Sequence, residues 1–274
     1  MSCTDFPAVS KTRNQLLYLI YGDQAVYRRE AKFSILTALS HAKDGKLPSI
    51  RILTDRPQDY AGWPVETIAL TPQILARWQG ENGYHHRRKA CAMAAGLHLA
   101  EKTLFVDTDT LFLRDPNLIF SQIQPGQYLM DCLEYQWQEV CERPEYHKLS
   151  KCLHAHGISA NNGFKLYNSG LCGLTDRDAP LLEDSIRYID EWTQGEFDVH
   201  TIEQIALSFA MRDKPVRAPL IPGAISSQLP QSPPETPETL DAKVDDIVAT
   251  LVANGPKAAR ECKRLVRDVG GQPI

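Results

Sequence analysis

Three short apolar runs, each closed by a polar cluster and separated by helical spacing, constrain this chain most. The first is Gln15-Leu-Leu-Tyr-Leu-Ile-Tyr21, ending at Gly22-Asp23. The second, Ser49-Ile-Arg-Ile-Leu53, ends at Thr54-Asp55, and the third, Thr103-Leu-Phe-Val106, ends at Asp107-Thr108-Asp109. Apolar runs of this length read as strands buried on both faces, as in a parallel sheet. Between them, Tyr27 to Lys43 places Ile35, Leu39 and Ala42 at helical spacing, and His86 to Ala100 places Ala90, Met93, Ala94 and Leu97 on one helical face. This alternation predicts an α/β fold with a largely parallel sheet. Right-handed crossovers bring the strand ends to one edge, and open α/β sheets bind ligands beyond the carboxyl ends of their strands. The three polar clusters are therefore expected to converge on one crevice.

Composition excludes several classes. The 274 residues allow one large domain with an appendage. A net charge of −4 argues against a dedicated nucleic-acid binder. No apolar stretch approaches the roughly 18 residues of a membrane helix, which leaves peripheral membrane contact open. Met1 to Pro7 lacks the basic-then-apolar build of a signal peptide. Seven cysteines without a CxxC pair fit a reducing compartment, so a cytoplasmic location is expected. Pro230, Pro233, Pro234 and Pro237 crowd one segment, where missing donors exclude a core strand or helix interior. The expected division is a main domain at 10–217, a proline-rich linker at 218–239 and a tail at 240–274.

The sharpest signal is the pair Asp107 and Asp109. In an extended backbone, residues i and i+2 point to the same side, so both carboxylates would face one point. Like charges that close are unfavourable unless protonated or neutralised by a cation. A hard divalent ion, Mn²⁺ or Mg²⁺, accepts one or two carboxylates and completes its shell with water and substrate phosphates. The apolar run before the pair and Leu111-Phe112-Leu113 after it make plain solvation a poor account of the charges. Two chemistries use such a pair: haloacid-dehalogenase-type phosphatases and sugar-nucleotide glycosyltransferases. The phosphatase pattern expects a small hydroxylic or branched residue two positions after the second Asp, where this chain has Leu111 followed directly by Phe112. It also expects a downstream acidic pair that is not evident here.

With those residues in view, residues 15 to about 212 resemble a GT-A nucleotide-diphospho-sugar transferase, a Rossmann-like fold, closest in style to the family-8 glycosyltransferases. The resemblance rests on an ordered series: Tyr18-Leu-Ile-Tyr-Gly22, Thr54-Asp55, Arg87-Arg88-Lys89, Phe105-Val-Asp-Thr-Asp-Thr-Leu-Phe112, Tyr167-Asn-Ser-Gly-Leu-Cys-Gly173 and His200-Thr-Ile-Glu-Gln-Ile-Ala-Leu207. It implies metal-dependent transfer of a sugar from a nucleotide-diphosphate sugar, a UDP-sugar first, to an unidentified acceptor. Tyr21 and Gly22 would receive the base and ribose, with Thr54 or Asp55 helping at the base. Lys89 would approach the diphosphate as a point charge, while Arg87 and Arg88 fit a solvated helix face better. Asp107 and Asp109 would hold the metal. Asn168, Ser169 and Gly170 would lie beside the transferred sugar, Asn168 offering donor and acceptor to its hydroxyls. Glu203 and Gln204 are the catalytic candidates, pointing away from the buried face of Ile202, Ile205, Ala206 and Phe209. No general base is assigned, and the family analogy suggests retention of configuration. His85-His86 and His154-Ala155-His156 match no closed zinc spacing and are expected as surface or loop residues, and His200, at the start of its helix, is expected as a surface residue rather than a ligand.

Two departures stand out. Family-8-like enzymes supply a third metal ligand, a His, near the C-terminus, yet no histidine follows His200. A non-catalytic or degenerate sugar-nucleotide binder is therefore the alternative. The tail carries helical stripes, Leu240, Val244, Ile247, Leu251 and then Ala258, Cys262, Leu265, Val269, parted by Gly255-Pro256. It resembles the C-terminal helices of enoyl-CoA hydratases, without the crotonase body.

Overall fold

The computed structural model describes residues 10–43, 46–159, 163–195, 199–217, 225–226, 253 and 255. Its elements run β1 (Thr12–Ile20), α1 (Ala25–His41), β2 (Ser49–Thr54), β3 (Glu66–Ala69), α2 (Pro72–Gln79), α3 (Arg87–Leu97), β4 (Ala100–Val106), β5 (Leu111–Phe112) and α4 (Asn117–Phe120). They continue through β6 (Tyr128–Met130), β7 (Leu133–Gln136), α5 (Trp137–Val140), α6 (His147–Ala155), β8 (Lys165–Tyr167), β9 (Leu171–Thr175), α7 (Ala179–Trp192), α8 (Ile202–Ala210), β10 (Val216–Arg217) and β11 (Ile225–Ser226).

The three apolar runs become β1, β2 and β4, and β1 lies between the other two, parallel to both. The seven-stranded sheet has the order β10-β6-β9-β4-β1-β2-β3. β3 extends the parallel half, while β9 runs antiparallel to β4 and β6, making the sheet mixed. Both faces are covered, which is why these strands are apolar throughout rather than alternating. Leu16 and Tyr18 pack with Ile35 and Ala38 of α1 on one face. Leu17 and Phe105 pack with Cys91, Ala92 and Ala95 of α3 on the other. Contact there is tight: a β-carbon on Gly96 would lie 2.2 Å from a Leu17 methyl, so only glycine lets α3 settle onto β1. Trp137, Trp192 and Phe209 belong to a third core under α5 to α8.

The edge strand β3 and helix α2 are not among the expected elements, although Thr71 and Pro72 form a helix start in which the Thr71 hydroxyl accepts the Ile74 amide at 3.2 Å. Within the span assigned to the linker, Ile225 and Ser226 pair antiparallel with Phe112 and Leu111 of β5. The chain thus returns to the main domain just after the acidic pair. The prolines themselves and the tail stripes lie outside the described residues. Among the described residues, no helix is long and apolar enough to cross a membrane.

A buried polar network pins the amino ends of the parallel strands. Arg51, 1% exposed, donates to Glu66 Oε2 at 2.7 Å, Gln15 Oε1 at 2.9 Å and the carbonyls of Leu99 and Ser10 at 2.8 and 2.9 Å. Gln15 in turn donates to Thr103 Oγ1 and the Gly96 carbonyl, both at 2.7 Å.

Candidate functional site

At the opposite end of β1 and β4 lies a cleft of about 690 Å³. Tyr21 and Gly22 after β1, Asp107 and Asp109 after β4, Asn168 to Gly170 before β9, Lys89 of α3, and Glu203 and Gln204 of α8 all line it. This is the edge at which a parallel sheet presents its strand ends to a ligand.

Asp107 and Asp109 reach the cleft by a different local geometry from the extended one anticipated. The Thr110 amide donates to the Asp107 carbonyl at 3.2 Å, closing a turn over the pair. The Asp107 amide donates to the Gly170 carbonyl at 2.8 Å, tying this turn to the Asn168–Gly170 segment. Lys89 Nζ lies 2.7 Å from Asp107 Oδ2. Burial alone would lower the Lys89 pKa, but the charges of Asp107 and Glu203 more than offset it and hold the pKa above its ordinary value. Asp109 has no such lysine contact. Desolvation by the cleft walls, then the charge of Asp107, push its carboxyl up to about 6. Glu30 of α1 adds to this negative field and accepts the Thr108 hydroxyl at 2.9 Å.

Gly170 is required here. A β-carbon would sit 2.9 Å from Asn168 Oδ1 and 3.6 Å from Asp107 Oδ2, crowding the acidic group. Each end of the Asn168 amide already has a partner within the protein: its Oδ1 accepts from the Gly170 amide at 2.7 Å and its Nδ2 donates to Glu134 at 2.7 Å. Gln204, 7% exposed, accepts the Ser169 amide at 3.0 Å and donates to the other Glu134 oxygen at 2.6 Å. Glu134, on β7, therefore holds two amides at once. No motif pointed to it, because its neighbours are 34 and 70 positions away.

Glu203 and Gln204 do not lie on a solvated helix face, since every residue of α8 from Ile202 to Phe209 is buried. Glu203 is 6% exposed and accepts the Tyr84 hydroxyl at 2.5 Å. Burial pushes its carboxyl above the ordinary value, against the opposing effect of Lys89 and Tyr84.

Three expectations need correction. Thr54 is fully buried and its Oγ1 accepts the Arg56 amide at 3.1 Å, so it offers no surface to a base. Asp55 stands behind the cleft wall, where its Oδ2 accepts the Gly22 amide at 3.0 Å and fixes that positive-φ glycine. Arg87 and Arg88 are not solvated. Arg87 makes a bidentate pair with Asp190 at 2.6 and 2.8 Å, and Arg88 lies 4.8 Å from the Tyr21 ring centre while donating to the Leu75 carbonyl and Gln79. The helix packs against α2 and α7, so its first turn is enclosed by partners that sequence spacing does not show.

His85, His86, His154, His156 and His200 stand in turns or at the surface, as expected, but three of them share one patch. His85, His86 and His200 come together on the cleft wall, with His86 Nε2 2.9 Å from His200 Nε2. Burial, then the proximity of His85 and His200, pushes His86 down to about 4; burial and His200 also lower His85. His156 instead meets Glu191 at 2.7 Å, away from the cleft.

No protein-family model matches the chain, and no curated protein matches it. The functional reading rests on the chemistry of the cleft.

Proposed function

We propose that the chain is a metal-dependent glycosyltransferase of the GT-A type, moving a sugar from a nucleotide-diphosphate sugar, a UDP-sugar first, to an acceptor of unidentified class. The observation that carries this reading is the acidic turn, Asp107 and Asp109, facing the same cleft as Lys89 at the carboxyl edge of a parallel sheet. The donor set suits a hard cation, because both are carboxylates. Lys89 contacts Asp107, whereas Asp109 is held above the usual carboxylate range, a strain that a divalent ion would relieve.

Asp107 and Asp109 would hold Mn²⁺ or Mg²⁺, which when bound supplies charge neutralisation at the leaving diphosphate. Lys89, held beside that position, adds a second positive charge there. Tyr21, braced by Arg88, and Gly22 leave room for a flat base against the end of β1. Glu203 and Gln204 face the sugar from α8. Gln204 is oriented by Glu134, and Glu203 by Tyr84. At about 690 Å³ the cleft has the volume of a small-molecule site.

A non-catalytic sugar-nucleotide binder is the second reading. It is favoured by the amides of Asn168 and Gln204, whose donors and acceptors are met by protein groups. Incubating the full chain with a panel of UDP-sugars and Mn²⁺ separates the two. Metal-dependent release of UDP supports the transferase; tight binding without turnover supports the binder; neither binding nor turnover removes both.

A further inference from the structure

The turn leading into α3 presents two adjacent histidines on a fixed frame. The Arg87, Arg88 and Lys89 amides donate back to the Tyr84, His85 and His86 carbonyls at 3.1, 3.2 and 3.0 Å. Tyr84, buried at 1% exposure, clamps a third histidine to this frame, because its hydroxyl lies 2.6 Å from the His200 carbonyl. Three imidazoles from places more than 110 positions apart therefore share one patch and all line the cleft.

Their spacing is that of ligands. One ring nitrogen from each lies within 4.8 Å of the others, and the group consists of the three histidines alone. Tetrahedral zinc with Zn–N of about 2.0–2.1 Å sets its nitrogens about 3.3 Å apart. The His86–His200 pair, at 2.9 Å, is close to that value. As neutral rings, two nitrogens at this distance pair one N–H with one lone pair; when the donating ring carries its proton on Nδ1 instead, both lone pairs are open to one cation. The neighbouring cations are already engaged, Lys89 with Asp107 and Arg88 with the Leu75 carbonyl and Gln79.

We propose that His85, His86 and His200 form a three-histidine site for a transition metal of the Zn²⁺ class, separate from the acidic pair. Imidazole nitrogens select Zn²⁺ and Co²⁺, whereas the Asp107–Asp109 carboxylates select Mg²⁺ and Mn²⁺. Three protein ligands leave a fourth position, on the cleft side, for water or an anionic oxygen. The site does not depend on the transferase reading.

The test uses the full chain stripped of metal and titrated with CoCl₂, read by visible absorption, then with ZnCl₂ as competitor. One Co²⁺ per chain should produce intense tetrahedral bands that Zn²⁺ abolishes. His86→Gln and His200→Gln should each weaken binding by at least about tenfold, the least a disrupted site loses. Asp109→Asn should leave the bands unchanged. Far-UV circular dichroism verifies folding, and His85→Gln, at an exposed position, serves if His86→Gln does not fold. Absence of tetrahedral bands in the folded wild type overturns the proposal, as does unchanged affinity in the histidine variants. Bands lost only in Asp109→Asn would assign the ion to the acidic pair and equally overturn it. Failure of Co²⁺ binding leaves UDP binding untouched, so the two readings fail separately.

Discussion

The two ends of the same parallel strands carry polar clusters of opposite character. At the amino ends of β1, β2 and β4, the Arg51 guanidinium, Gln15, Thr103 and Glu66 meet one another and nearby carbonyls. Nothing there calls for a ligand. At the carboxyl ends, Asp107, Asp109, Glu30 and Glu203 gather around one close lysine among the described residues, and two of those carboxyls, Asp109 and Glu203, are pushed up by desolvation and by the charge of Asp107. Buried polar groups that are mutually matched stabilise a fold, whereas charges gathered without compensation mark a site. The comparison makes the difference between structural and functional polarity measurable.

The largest effect is expected at the matched end. Arg51→Met leaves Gln15 Oε1 and two carbonyls without their donor, and should cost about 3 kcal/mol in denaturant unfolding, on the order of 1 kcal/mol for each acceptor left unmet, with UDP affinity unchanged in the folded fraction. A smaller cost would mean that water takes over the network. In the same half, Gly96→Ala forces a β-carbon into Leu17 and should destabilise by about 1–3 kcal/mol.

At the unmatched end, substitutions should be read first in binding. Lys89→Met removes the counter-charge of Asp107 and should weaken UDP binding by about tenfold or more, the value of a charge-assisted contact. Titration calorimetry checks this, and undiminished affinity would place the diphosphate elsewhere. Asp109→Asn should raise the metal-free melting temperature while removing metal binding. The sign follows from the shift: its pKa is raised from 3.8 to about 6 in the fold, so its contribution favours folding below the unfolded value. That contribution is lost as pH rises through about 6. Because Asp109 still presents much of its side chain to solvent despite the partial desolvation of its carboxyl in the cleft, screening limits the gain at pH 7 to no more than about 1 kcal/mol, or about 2–4 °C. By the same titration, Mn²⁺ affinity in the wild type should fall as pH drops below about 6, where a proton competes for Asp109. A flat profile from pH 5 to 7 would separate Asp109 from the metal.

How much of this was legible differs between the same two ends. Apolar runs and helical spacing point to β1, α1, β2, α3 and β4, because burial on both faces leaves a direct trace in the sequence. Arg51 interrupts its run without announcing the network it organises, since its acceptors come from β1, β3 and the approach to β4. In the cleft, the Asp107–Asp109 spacing marks a site even though the extended geometry invoked for it gives way to a turn. Thr54 and Asp55 mislead because a polar strand end looks alike whether it faces a ligand or braces a neighbouring loop. Glu134, Tyr84 and the histidine trio are invisible locally. Their partners lie tens of positions away, and only packing of α8 against α3 and β8 unites them.

The most direct test of the central claim, that the carboxyl-end charges await a cation and a diphosphate, is calorimetric titration of UDP into wild type and Asp109→Asn, with and without Mn²⁺. The account predicts binding that requires Mn²⁺ in the wild type and disappears in the variant. UDP binding that is indifferent to Mn²⁺, or of equal strength in Asp109→Asn, would contradict it.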